Sequence, residues 1–114
     1  MGILEDLVAT FYFDAAGNPV AFKTQSESKF LFDLNGTWIG WFPWGDGDAV
    51  DKDGDYLGSA VENRLLYRTS QPYRGYPGHP GYPGFAGYPG YPGFAGYFAF
   101  GAGYAEIPKN RLKG

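Results

Sequence analysis

The sequence predicts an all-β fold, a small domain of repeated β-hairpins shaped as a flower or barrel, followed by a collagen-like polyproline II tail of Gly-X-Y triplets. Three observations support this prediction. An apolar-Asp-x-x-Gly-x-x-apolar pattern recurs three times, glycine occupies every third position from Gly75 to Gly96, and aromatic residues make up 20% of the chain. We divide the sequence into an N-terminal segment (1–10), a hairpin domain (11–68), a linker (69–74), the tail (75–107) and a basic C-terminal end (108–114).

Each repeat is predicted to form two strands joined by a turn. Aspartate opens each turn, because its carboxylate accepts backbone N–H groups two residues on, and glycine closes it with a positive φ. The turn pairs are Asp14 and Gly17, Asp33 and Gly36, and Asp51 and Gly54. A fourth, degenerate strand without this signature is expected at residues 63–67. Since a single hairpin is marginal in water, the hairpins are expected to stack or close on one another and bury their apolar side chains.

Three segments of the hairpin domain carry a family resemblance. They are Gly-Asn-Pro-Val-Ala-Phe (17–22), Phe-Leu-Phe-Asp-Leu-Asn-Gly-Thr-Trp-Ile-Gly-Trp-Phe (30–42) and Gly-Asp-Ala-Val-Asp-Lys-Asp-Gly-Asp-Tyr-Leu-Gly (47–58). In this order they resemble the bacterial four-fold beta flower proteins, closely over residues 11–67 and only in style over the tail. The resemblance implies four hairpins, of which three are clear here. It supports the fold and implies no activity.

The tail carries a strict period of three. Its glycines are Gly75, Gly78, Gly81, Gly84, Gly87, Gly90, Gly93 and Gly96, and its middle positions hold Tyr76, Tyr82, Phe85, Tyr88, Tyr91, Phe94 and Tyr97. A polyproline II helix has three residues per turn, so this period places all glycines on one face and the aromatics on another. With a rise of about 3.1 Å per residue, residues 75–98 would extend roughly 74 Å. A nine-residue unit, Gly-Tyr-Pro-Gly-Phe-Ala-Gly-Tyr-Pro, starts at Gly81 and recurs at Gly90 with one change.

A polyproline II helix makes no internal hydrogen bonds, so its backbone must bond to water or to another chain. We therefore expect tails from several copies to associate through their glycine faces and build a homo-oligomer or filament. Two alternatives remain open for the tail. It could be a disordered, sticky Gly/Tyr/Pro segment, or its aromatic stripe could bind sugars, bases or proline-rich peptides. A surface carbohydrate or cell-wall binding function would use Trp38, Trp41 and Trp44, for which core packing is the competing interpretation.

The sequence predicts no catalytic residue, no cofactor and no metal site. The chain has no cysteine and a single histidine, His79, which removes the usual zinc ligands and most histidine-dependent catalysis. The acidic run from Asp51 to Glu62 imitates an EF-hand loop, but Tyr56 occupies the sixth position, where the loop requires glycine. A solvated acidic turn is the favoured interpretation. The protein is expected not to be an enzyme.

The net charge of −3 conceals two oppositely charged halves. Residues 1–63 hold eleven acidic and three basic residues, a net −8, and residues 64–114 hold one acidic and six basic residues, a net +5. The halves should attract, within one chain or between copies. The bases are scattered, so no nucleic-acid partner is predicted. No signal peptide and no apolar stretch near the ~20 residues of a membrane span is evident, and the default location is the cytoplasm.

Overall fold

A computed structural model of the chain describes residues 9–70 and 73–114, so most of the predicted N-terminal segment and part of the predicted linker lie outside the described residues. Seven strands form a closed barrel: β1 (Thr10–Phe13), β2 (Pro19–Lys23), β3 (Phe30–Phe32), β4 (Trp38–Trp41), β5 (Asp48–Asp51), β6 (Tyr56–Val61) and β7 (Arg64–Arg68). Sequential strands pair antiparallel, and a parallel pairing of Phe13 with Arg64 closes the barrel. The predicted all-β barrel is confirmed.

Two short elements follow the barrel strands at the end of the chain. Strand β8 (Tyr104–Ala105) pairs antiparallel with β7, and a 3-10 helix spans Lys109–Leu112. The tail residues between β7 and β8 form neither strand nor helix.

The first three hairpins share one turn structure, as the repeat predicts. In the first turn the Asp14 N–H donates to the Asn18 carbonyl and the Gly17 N–H donates to the Asp14 carbonyl. The same two bonds recur in the second turn, at Asp33, Thr37 and Gly36, and in the third turn, at Asp51, Asp55 and Gly54. The aspartate carboxylates accept further backbone N–H groups at 2.9 to 3.0 Å, which stabilises each turn. A β-bulge precedes each turn, between residues 12 and 13, 31 and 32, and 49 and 50.

The fourth unit departs from the repeat. Strand β7 lies within one residue of its expected position, but the turn between β6 and β7 has no Asp-x-x-Gly sequence, and Glu62 takes a positive φ of 57° there. The carbonyl of Asn63 accepts the N–H of Phe13 at 2.8 Å. This turn therefore serves to join the last strand of the barrel to the first.

The barrel interior is filled by side chains from every strand and from the C-terminal end of the chain. Its buried members are Tyr12, Ala21, Leu31, Ile39, Phe42, Ala49, Leu57, Leu65, Ile107 and Leu112. A second cluster contains Phe22, Phe32, Trp38, Trp41 and Val50. Trp38 and Trp41 are only 4% and 7% exposed, so both serve core packing rather than carbohydrate binding. The segment that the sequence marks only as basic thus completes the core.

The tail differs from the predicted rod. The chain measures 41 × 34 × 28 Å, too short for an extended tail of roughly 74 Å. All eight tail glycines have φ between +80° and +99°, whereas a polyproline II helix needs φ near −75°. The prediction of a polyproline II tail is therefore wrong within this structure. Proline fixes φ near −65°, and the glycine that follows it has a φ near +80°, so the sign of φ changes within each Tyr-Pro-Gly triplet and no regular polyproline II helix forms. Residues 75–98 contain neither a hydrogen-bonded turn nor a sharp bend.

Candidate functional site: an aromatic belt on the barrel

Residues 75–98, which we call the belt, pass across the turns of the hairpins. A Cβ added at any of the eight belt glycines would meet no atom within 4 Å. The predicted glycine packing is therefore not used inside the chain. Glycine is required in the belt because its positive φ is costly for residues with a Cβ.

Three backbone hydrogen bonds tie the belt to two successive hairpin turns. The Ala86 N–H donates to the Gly36 carbonyl and the Ala95 N–H donates to the Gly17 carbonyl, both at 2.8 Å, and the Phe98 N–H donates to the Ala15 carbonyl at 2.7 Å. Ala86 and Ala95 are nine residues apart, so one nine-residue unit of the belt spans one hairpin of the barrel. Proline cannot make this bond because it lacks an N–H. The need for a donor explains why alanine replaces proline at positions 86 and 95 and phenylalanine replaces it at position 98.

Close approach requires glycine on the barrel side of these contacts. A Cβ on Gly17 would lie 2.5 Å from the Gly96 nitrogen, and a Cβ on Gly36 would overlap the backbone of Gly87. Both turn glycines have positive φ as well, +99° and +89°. The repeat glycines thus have two roles, since they close the turn and they leave room for the belt.

The third hairpin contacts the belt differently. Pro77 lies nine residues before Ala86 and has no N–H to donate. A Cβ on Gly54 would instead lie 2.8 Å from the Tyr76 ring. The belt therefore meets this hairpin through a side chain, and its backbone hydrogen bonds to the turns fall on the second and first hairpins.

Arg64 fastens the end of the belt and was not singled out by the sequence analysis. Its guanidinium, in a residue only 6% exposed, donates to the carbonyls of Gly96 at 2.6 Å, Ala95 at 3.1 Å and Asp14 at 3.1 Å. The guanidinium also lies 5.3 Å from the ring centroid of Phe98. Arg64 lies in the fourth unit, which lacks the Asp-x-x-Gly signature of the other three. The arginine in this unit was the one sequence feature that pointed to its role.

The C-terminal end is held by two of the turn aspartates. The Gly114 N–H donates to Asp33 Oδ2 at 2.9 Å, and the Arg111 guanidinium donates to Asp51 Oδ2 at 3.0 Å. In both aspartates Oδ1 accepts backbone N–H groups of the turn. The two carboxylate oxygens therefore divide between stabilising the turn and binding the chain end.

The opposite charges of the two halves meet within one chain. The ion pairs among residues 9–70 and 73–114 are Arg68 with Asp48, Arg74 with Asp46 and Asp48, and Arg111 with Asp51. Each joins a base of the second half to an acid of the first. Arg74 and Arg111 flank the tail, so the attraction expected from the sequence helps to hold both of its ends on the barrel.

The belt presents its aromatic side chains to solvent. Tyr76, Tyr82, Phe85, Tyr88, Tyr91, Phe94 and Tyr97 are 65 to 77% exposed. At ~200 Å² for each side chain, they expose about 1,000 Å² of aromatic surface. The predicted aromatic contact residues are therefore largely exposed, and they are distributed along the belt from the third hairpin to the first.

A cleft of about 210 Å³ lies where the chain enters the belt. Aromatic and cationic side chains line most of it: Trp44, Tyr56, Tyr67, Arg68, Tyr73 and Arg74. The Tyr56 and Tyr67 ring centroids are 5.1 Å apart, and the Arg74 guanidinium lies 4.2 Å from the Trp44 ring centroid. Burial raises the pKa of Tyr56. The backbone N–H of Asp48 and the Arg74 guanidinium lower the pKa of Asp46, and the same pairing raises the pKa of Arg74.

The acidic run that imitates an EF-hand loop is a hairpin turn. The Asp51 carboxylate accepts the backbone N–H groups of Asp53 and Asp55 at 2.9 and 3.0 Å, so these residues are arranged around the turn. Within the described parts of the chain, no group of three or more His, Cys, Asp or Glu side chains could hold a metal ion. Over the same residues, no helix is long and apolar enough to cross a membrane.

Comparisons with protein-family models, curated proteins and solved structures found no match to this chain.

Proposed function

We propose that this protein is a non-enzymatic structural protein that associates with other copies of itself through the aromatic side chains of the belt. The observation that carries the proposal is the exposure of seven belt aromatics, 65 to 77%, on a backbone hydrogen-bonded to the barrel at Gly17 and Gly36. A surface that is both apolar and held in place loses little conformational entropy when a partner covers it.

The exposed area supports this proposal. A stable protein interface buries about 800 Å² on each partner, and the belt aromatics expose about 1,000 Å² at ~200 Å² per side chain. Tyrosine and phenylalanine are enriched at interfaces, where they bury large area for few rotatable bonds. The belt therefore supplies enough surface for a homo-oligomeric contact.

The aromatic face is a better candidate for association than the glycine face. The belt glycines are explained by their positive φ, and the N–H groups of Ala86 and Ala95 already bond the barrel of the same chain. Some of the backbone N–H groups that were expected to bond a second tail are therefore already bonded within the same chain. Kinship with the bacterial four-fold beta flower proteins is a further proposal, supported by three like hairpins and a fourth unit closing one barrel.

Mass measurement over a range of protein concentration tests the proposal. We expect multi-angle light scattering to give a mass that rises with concentration for the full chain. A variant with Phe85, Tyr88, Tyr91 and Phe94 replaced by serine should stay monomeric, whereas Tyr88→Phe with Tyr91→Phe, which keeps the apolar area, should still associate. A full chain that is monomeric up to millimolar concentration would refute the proposal. Retention of the full chain on a polysaccharide column without any self-association would favour the carbohydrate-binding alternative.

A further inference from the structure

We infer that the cleft at the entrance to the belt is the receptor for a Tyr-Pro-Gly triplet of a second copy, so that copies associate head to tail. The inference rests on the proposed self-association and names the two surfaces that meet. One surface is the cleft, with Tyr73 88% exposed at its edge. The other is the pair of triplets at Tyr88 and Tyr91, whose side chains are 68% and 66% exposed.

The chemistry of the cleft favours a ring-bearing occupant without negative charge. Its walls carry one indole and three phenol rings, and aromatic-lined grooves of this kind receive proline rings in extended peptides. Arg68 and Arg74 lie at the cleft but pair with Asp46 and Asp48 of the same chain. The charges of these four residues compensate one another, and Asp55, which also lines the cleft, adds a negative charge that disfavours an anion as the ligand.

The size of the cleft limits the occupant to a small group. At ~30 Å³ for each water, the volume of about 210 Å³ equals that of seven water molecules, which suits one tyrosine or proline side chain and excludes a long helix or strand. A Tyr-Pro pair places an aromatic and an imino ring next to each other. Either ring of this pair alone fits the volume of the cleft, and both rings suit its aromatic character.

Two triplets of the belt are free to act as the ligand. Tyr76 lies against Gly54, and the Tyr82 ring is 5.8 Å from the ring of Trp38, so both already contact the barrel. The triplets at Tyr88 and Tyr91 fall between the two bonded contacts at Ala86 and Ala95. There the belt crosses from the second hairpin to the first. The cleft is formed at the third hairpin and β7, so the two surfaces face different parts of the molecule.

Since cleft and triplets are different surfaces, their contact is heterologous. A heterologous contact does not close on itself in a pair of molecules and produces a ring or an open filament. A contact of belt against belt would instead be two-fold symmetric and would end at a dimer. The inference therefore predicts assemblies larger than a dimer.

Two complementary variants test the inference. Tyr73→Ser alters the cleft, and because Tyr73 is 88% exposed the fold should not change. Tyr88→Ser with Tyr91→Ser removes the ligand rings and leaves the cleft. Each variant alone should be monomeric by analytical ultracentrifugation. An equimolar mixture should form a species of about twice the monomer mass and no larger one, since only one productive contact remains.

The matched control is Phe85→Ser with Phe94→Ser, which removes two exposed belt aromatics that no proline follows. This control should assemble beyond a dimer as the full chain does, and circular dichroism should show that all variants keep the β fold. If the Tyr73→Ser variant assembles like the unmodified chain, or if the mixture contains only monomers, the inference is wrong. If Tyr73→Ser assembles normally, the variant with Tyr88→Ser and Tyr91→Ser tests the proposed function separately. Loss of association in that variant alone would show that copies associate through belt-to-belt contacts without the cleft. An unmodified chain that never associates would overturn both.

Discussion

The seating of the belt against the hairpin turns can be measured with pairs of glycine substitutions that share the same φ. Gly36 in the second turn and Gly90 in the belt both have φ of +89°. A Cβ at Gly36 would overlap the backbone of Gly87, whereas a Cβ at Gly90 would meet nothing within 4 Å. The substitutions Gly36→Ala and Gly90→Ala therefore share the backbone strain and differ in the contact with the belt.

The expected magnitudes follow from these contacts. A left-handed conformation costs a residue with a Cβ about 1 to 2 kcal/mol, and the restriction of the unfolded chain returns about 0.4 to 1 kcal/mol. Both contributions are the same for the two variants and cancel in the comparison. Gly36→Ala should additionally displace the belt and break the bond from Ala86, a loss of about 1 kcal/mol. The melting temperature should then be roughly 4 °C lower for Gly36→Ala than for Gly90→Ala.

A second pair repeats the measurement at another turn. Gly17 and Gly93 both have φ of +99°, and only Gly17 faces the belt backbone, where its added Cβ would lie 2.5 Å from the Gly96 nitrogen. Urea unfolding at micromolar concentration gives the free energies of unfolding, and hydrogen exchange of the Ala86 and Ala95 amides reports the two bonds directly. If the two variants of each pair have equal free energies of unfolding, and the Ala86 and Ala95 amides exchange as in the unmodified chain, the belt does not rest on the turns.

Three further outcomes are expected. Arg64→Lys should lower the free energy of unfolding by about 3 kcal/mol, because an ammonium group cannot reach the same three carbonyls and leaves buried groups unpaired. A loss below about 1 kcal/mol in urea unfolding would contradict the role of Arg64. Ala86→Pro should lower the thermal stability by about 1 kcal/mol, since it removes the bond to Gly36, whereas the same change in a detached tail would stabilise the chain. Burial raises the pKa of Tyr12 to about 12, so stability present below pH 10 should fall between about pH 10 and 12, by up to about 2 kcal/mol. Tyr12→Phe should reduce that alkaline loss, and an identical pH profile would exclude Tyr12 as its source.

Local sequence was sufficient for the hairpins because the information lies within each turn. Asp33 and Gly36 bond each other and their immediate neighbours, so the pattern carries the physical cause of the turn. The exposed aromatics of the belt could likewise be found from the period of three. The sequence could not show that the belt binds the hairpin turns, since the bonds join residues such as Ala86 and Gly36 that are far apart in sequence. The alanines that interrupt the run of prolines marked these contacts, but only the barrel shows what accepts their N–H groups.

By itself the sequence determined three hairpins with their turns, an apolar interior, and a tail in which every third residue has no side chain. The conformation of that tail was decided by the tertiary structure. A glycine period of three is compatible with a polyproline II rod and with an irregular chain whose glycines have positive φ, because glycine occupies both regions at similar cost. The carbonyls of Gly17 and Gly36 and the guanidinium of Arg64 select the second form, and they exist as a set of partners only once the barrel has closed.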